Sequence, residues 1–224
     1  MLALLIASLG FAAIHLLVAG TRVRDALVAR LGEGAYSGLF SLASAGLLGA
    51  MIWAFVRART IAITPYYDLR WVAVLLVFIA FVLIVLGVTT VGATGVGGGK
   101  QLQQPDSARG IHRITRHPFL WGVALWAAAH IAYNPGTAYL VFFGTFLVVA
   151  LAGTFSIDAK RARRFGELWP AYARITSNLP FVAIAQGRNR LAPGEIGLWR
   201  IAAAIAVFVL ALMLHARLFG MPAW

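Results

Sequence analysis

A chain of 224 residues that is 61% hydrophobic and 12% charged has more apolar side chains than one water-soluble domain can bury, so it belongs in a bilayer. Its net charge of +12 needs no nucleic acid to explain it. Anionic lipid and topology account for the excess, and no basic segment is interleaved with exposed stacking aromatics. Cysteine is absent, which excludes thiolate-held iron-sulfur clusters, structural disulfides and covalent c-type haem, and leaves histidine as the main ligand for any metal.

The predicted fold is all-α, a polytopic membrane helical bundle forming a single domain over residues 1–224. Five stretches reach or approach the roughly 20 apolar residues that a hydrocarbon core demands. They run about Met1 to Gly20, Gly34 to Val56, Trp71 to Val91, Tyr139 to Phe155 and Gly197 to Phe219. A shorter one, Phe119 to Tyr133, is joined to its successor by Asn134-Pro135-Gly136-Thr137 and reads as the first arm of a tight helical hairpin, which makes six spans. No basic residue precedes the first span, and Arg22, Arg24 and Arg30 follow it. That order favours a retained anchor over a cleaved signal. Loops one, three and five hold 15 of the 19 Lys and Arg, counting Arg200 at the head of the last span. The positive-inside rule puts these loops in the cytoplasm and both termini outside.

The polar segments are read as follows. "GATGVGGGK", residues 92–100, fails as a phosphate loop because Thr94 stands where the first glycine belongs and Gln101 follows the lysine, so it is expected to be a flexible linker. The stretch from Asp158 to Phe181 is basic and aromatic at helical spacing and is expected to lie as an amphipathic helix on the cytoplasmic interface. All seven acidic residues fall outside the spans as drawn, which leaves no carboxylate relay across the bilayer.

His15, His130 and, nearer an end, His215 remain within spans, where a polar group is usually paired or functional. Ser8, Ala12 and Ala19 share the face of His15; Trp126 and Ala127 lie on the turn before His130, with Tyr133 and Asn134 after it. Each imidazole alone is either a ligand or a hydrogen-bonded packing residue. Two of them on different helices, in an apolar setting without cysteine, are what a noncovalent b-type haem needs as axial ligands. Their depths differ, at roughly 7 Å from the cytoplasmic end for His15 and roughly 18 Å for His130. His117 precedes Pro118 at a helix start, and with Arg116 it suits an anionic head group or cofactor, or an interfacial anchor. His112 is expected to be solvated and His215 interfacial.

The residues around His15, "GEGAYSGLFSLAS" from Gly32 to Ser44, "RGIHRITRHPFLWGVALWAAAHI" and Asp158 to Phe181 together resemble the NnrU family of bacterial membrane proteins. That family is associated with nitrite and nitric oxide reduction and is similar to the 15-cis-zeta-carotene isomerases of plants and cyanobacteria. The resemblance implies an inner-membrane protein holding haem b iron through His15 and His130, with Trp126 and Tyr133 lining the pocket and Arg116 and His117 nearby. It implies either redox-dependent cis-trans isomerisation of an apolar polyene, with those two histidines as its catalytic ligands and an electron donor yet to be named, or nitric oxide binding linked to denitrification.

Two alternatives stay open. Arg116-His117-Pro118, a hairpin and "FGELWPAYARITSNLPF" are similar to isoprenylcysteine and phospholipid methyltransferases, implying S-adenosylmethionine near Arg116, His117, Asp158 and Tyr172, though the expected glutamate pair is replaced by Asp158-Ala159. An assembly factor without cofactor, whose buried histidines only tie helices together, is the other.

Overall fold

The computed structural model describes residues 1–63, 68–95, 98–104 and 106–220. Helix α1 (Leu2–Ala13) passes into a π-helical turn, Ile14–Val18, and then bends by 82° into α2 (Arg22–Leu31). Thr21 makes the corner: its backbone is extended, its hydroxyl donates to the Leu17 carbonyl at 2.7 Å, and the same oxygen accepts from the Val23 amide, capping α2. Helices α3 (Glu33–Arg57) and α4 (Arg70–Thr89) follow, then a short α5 (Gly99–Leu102) and α6 (Pro118–Tyr133), whose proline sits in the first turn where its missing amide hydrogen costs little. The chain continues through α7 (Thr137–Phe165), α8 (Leu168–Ile175), α9 (Val182–Ala185) and α10 (Leu198–Phe219).

Helices α3, α4, α7 and α10 are long and apolar enough to cross a membrane, and the bent α1–α2 unit makes a fifth. Helix α6, with 16 residues, is the shorter arm of the hairpin expected from sequence. Helix α4 packs along α6 at close range. A Cβ on Gly122 would come within 2.8 Å of the Ala80 carbonyl oxygen and 2.7 Å of Ile84, so the glycine lets the two backbones approach as only small residues allow. Between helices in lipid this close packing, rather than water exclusion, is the main source of adhesion. A buried cluster of Leu4, Phe11, Met51, Ala127, Phe142 and Phe143 joins α1, α3, α6 and α7.

Loops two and four meet at one end, where Ala62 bridges Gly136 and the Thr137 amide donates to the Ile61 carbonyl at 2.9 Å. The arginine-rich loops gather at the other, hereafter the basic end. There Arg163 donates to the Gly20 carbonyl at 2.9 Å, and the Arg116 amide to the Ser177 carbonyl at 2.9 Å. Loops two and four thus share one end, and loops one, three and five the other.

Two expectations are overturned at the basic end. The glycine segment, of which Val96 and Gly97 lie outside the described residues, is packed rather than a loose linker. A Cβ on Gly92 would meet the His112 ring at 2.1 Å, and Arg161 donates to the Thr94 and Gly95 carbonyls. His112 is buried, its Nε2 donating to the Thr90 carbonyl at 3.2 Å; it is not solvated. Helix α8 also packs on protein, since its Trp169 and Tyr172 are buried against Ala93, Leu102 and Ala108.

Candidate functional site

His15 opens the π-helical turn, where the Ala19 amide reaches back to the Ile14 carbonyl at 3.0 Å. Such single-turn π segments within helices are frequent at functional sites. The Nδ1 of His15 lies 2.8 Å from the Phe11 carbonyl oxygen, four residues back, and its ring sits 4.2 Å from that of Phe11 and 5.2 Å from that of Phe40. His130 repeats the arrangement on α6. Its Nδ1 lies 2.8 Å from the Trp126 carbonyl, again four residues back, and its ring stacks on Phe143 at 4.5 Å. A carbonyl accepts only, so in both histidines Nδ1 carries the proton. That leaves the Nε2 of each ring clear of this bond, the arrangement of a metal-binding histidine whose second nitrogen is fixed by an outer hydrogen bond.

Both helices pack on α7, and an aromatic panel joins the two rings. Phe146 of α7 touches Phe11 at 5.6 Å and Trp126 at 5.5 Å, so contacts run from His15 through Phe11, Phe146 and Trp126 to His130. His130 is level with Phe143 while Phe11 is level with Phe146, and His15 lies one turn further toward the basic end. Along the helix axes the two backbones are therefore offset by about 10 Å, the depth difference expected from the sequence. Each imidazole leans toward its own helix N-terminus, since it bonds the carbonyl four residues back. Because α1 and α6 run in opposite directions, the two rings lean toward each other and shorten that offset. Trp126 lies in this panel, and Tyr133 is half-buried at the end of α6. Among the described residues no group of three or more His, Cys, Asp and Glu side chains converges.

The other expected residues form a separate site at the basic end. Asp158, on the long α7, is about 32 Å from the start of that helix, just past a hydrocarbon core of about 30 Å. Its carboxylate accepts from Arg116 Nε at 2.9 Å, from Arg116 Nη2 at 2.6 Å and from His117 Nε2 at 2.7 Å. Burial pushes the His117 imidazole below its ordinary range, an effect the Asp158 carboxylate partly offsets. The Tyr172 hydroxyl is fully buried with no hydrogen-bond partner among the described residues, and burial pushes its pKa up. Arg116 and His117 are both engaged by one carboxylate, so a cofactor binding them would have to displace Asp158. The pairing of positions 116 and 117 with 158 is long-range and carries no local signal in the sequence.

A second network ties loops three and five. Arg113 forms a bidentate pair with Glu195 at 2.8 Å and reaches Asp106 and Asn189, while the Gly110 amide donates to Glu195. These contacts hold the Glu195 carboxyl down at about 2.

The NnrU protein family matches residues 3–223, nearly the whole chain. The chain belongs to the NnrU family. Two curated relatives are also similar to this NnrU protein. The chloroplastic 15-cis-zeta-carotene isomerase of Arabidopsis thaliana is 35% identical over 82 residues, and that of Zea mays 33% identical over 82 residues. Each alignment covers 37% of this chain and 22% of the relative, so this NnrU protein spans under a quarter of the length of the relatives it matches. No solved structure matches it. Family and apolar helices together make it a membrane protein.

Proposed function

We propose that this NnrU protein holds one b-type haem in the membrane through His15 and His130 and uses it for redox-dependent cis-trans isomerisation of an apolar polyene. The observation that carries the reading is the matched pair of imidazoles. Each has Nδ1 fixed on a backbone carbonyl, which leaves Nε2 as the nitrogen available to a metal. The likeness to the two carotene isomerases supports the substrate class. His15 and His130 would hold the haem, which would supply a redox-active iron able to interact with a polyene double bond.

The chain's own residues have separable tasks. Phe11, Trp126, Phe143 and Phe146 keep water away from the imidazoles, and Phe146, touching rings from both helices, must turn to admit a flat ligand. The π turn at His15 gives that histidine a backbone able to change register by one residue. Arg116, His117 and Asp158 fix the start of α6 and so the height of His130. The basic end faces the cytoplasm of a bacterial inner membrane, with both termini outside, as its arginines favour.

Absorption spectra of the detergent-purified protein, oxidised and reduced, test the ligand pair. A Soret band in the native protein that is lost or shifted in both His15→Ala and His130→Ala, and kept in His215→Ala, is expected. A protein that stays colourless after haem supplementation refutes haem binding. A reduced holoprotein that converts no cis-carotene removes the chemistry and leaves the cofactor.

A further inference from the structure

On a different face of α6 from His130 lies a cavity of about 400 Å³ bounded by α4, α6, the head of α10 and the loop before α9. Every residue lining it is apolar, among them Leu83 and Leu86 of α4, Trp121 of α6, Phe181 and Ile201. Its one polar side-chain atom, the indole Nε1 of Trp121, is directed elsewhere and donates to the Asn178 carbonyl at 2.8 Å. Water entering such a space would find none of the two to four polar partners it needs. Left empty, the walls would lose dispersion contacts over a volume in the range of small-molecule sites. Hydrocarbon is the filling that costs neither, and the cavity lies between two helices long enough to cross the membrane.

The rim points the same way. The α4 lining runs from Ile79 to Leu86, about 10 Å along the helix axis. Ile79 is exposed toward mid-membrane, and Phe181 is exposed at the basic end. Phe181 is the one non-glycine residue with a positive φ, 66°, among the described residues. A bulky side chain in that region is strained and persists where its surroundings hold it. Here they do: its amide donates to the Ile114 carbonyl at 2.8 Å, and its carbonyl accepts from Ala185 at 2.9 Å. Asn178, three residues earlier, is pinned by Thr115 and Trp121 and donates to Thr154. Asn178 to Phe181 is thus a fixed strap whose polar groups bond away from the cavity and whose Pro180 and Phe181 line it.

We infer that this cavity takes one linear hydrocarbon chain, drawn sideways from the bilayer past the α4–α10 seam and lying along α4 with one end under Phe181. Its volume equals roughly thirteen water-sized units, room for a chain of about a dozen carbons. An acyl tail of a phospholipid and a polyprenyl hydrocarbon share this chemistry. The inference does not depend on the haem reading.

Photo-crosslinking of the full chain in phosphatidylcholine nanodiscs tests it. One sample carries a phosphatidylcholine with a diazirine in its acyl tail, and the other a diazirine-tagged linear polyprenyl hydrocarbon. Leu83 and Leu125 line the cavity and are half-buried, whereas Leu75, on the lipid face of α4, is 56% exposed and reports ordinary lipid contact. Adducts at Leu83 and Leu125 are expected, and their loss in the cavity-filling variants Ile201→Trp and Val82→Phe while the Leu75 adduct persists. Labelling by the phospholipid names an acyl tail as occupant; labelling by the polyprenyl probe alone names an isoprenoid. Adducts confined to Leu75 and other exposed positions with both probes overturn the inference, as does unchanged labelling of Leu83 and Leu125 in both filled variants.

Discussion

Replacing Asp158 by alanine should destabilise the basic end strongly. The carboxylate takes both donors of one edge of Arg116 and the Nε2 of His117, and the partners are well covered, with side-chain exposures of 14% for Arg116, 17% for Asp158 and 1% for His117. Removing one member of a buried pair typically costs 3–5 kcal/mol because the other charge is left without compensation; some water reaches both partners here, so about 3 kcal/mol is expected. At this chain length that corresponds to a fall in Tm of roughly 6–12 °C. The assay is thermal unfolding in detergent, run on Asp158→Ala, Arg116→Ala and the double variant, with the haem spectrum recorded on each. The double variant should lose less than the sum of the singles, since it leaves no orphaned charge. A change below about 1 kcal/mol in Asp158→Ala, the value of an exposed ion pair, would refute the assignment of this cluster as the buried clamp at the start of α6.

Acid should weaken the same end in two stages. Burial lowers the pKa of His112 and His117 in the folded chain, so the unfolded chain binds protons more readily. Stability is then full above pH about 6.5 and falls as the pH drops below it. The Glu195 carboxyl, held at about 2 against an ordinary 4.5, adds a stabilisation that is present above pH 4.5 and lost as the pH falls toward 2. A Tm profile against pH should show both losses, and Glu195→Gln should remove the second; a profile flat from pH 7 to 4 would contradict the first, and one flat from pH 4.5 to 2 the second. Gly92→Ala should cost about 1–3 kcal/mol by overpacking, because its Cβ would fall 2.1 Å from a His112 ring already bonded to Thr90. An unchanged Tm in that variant would mean that the ring is free to move.

Much of this architecture was readable before any coordinates, because in lipid the apolar run length dictates the helix and the arginine distribution dictates the side. The positions of α3, α4, α7 and α10, the short α6 and the isolation of His15 and His130 all follow from those rules. What they miss is what depends on contacts between distant loops. His112 sits in a basic stretch that looks solvated, yet Gly92 leaves a hole shaped for its ring, and a glycine near a histidine 20 residues away has no periodicity to reveal it. Trp169 and Tyr172 have the spacing of a surface helix, and the apolar side they cover is protein, Ala93 and Leu102, rather than lipid. The π turn at His15 leaves no mark in composition, since Ile14 to Val18 are ordinary helix formers apart from the histidine. One clue lay in plain view: an aromatic four residues before each histidine, Phe11 and Trp126, whose rings contact the imidazole and whose backbone carbonyls accept from its Nδ1.

The pairing of His15 with His130 is tested most directly by electron paramagnetic resonance of the ferric protein. The account predicts a low-spin signal of two-imidazole ligation in the native chain, converted in both His15→Ala and His130→Ala and recovered in part by added imidazole. A high-spin ferric signal in the native protein, or a low-spin signal unchanged by either substitution, would contradict it.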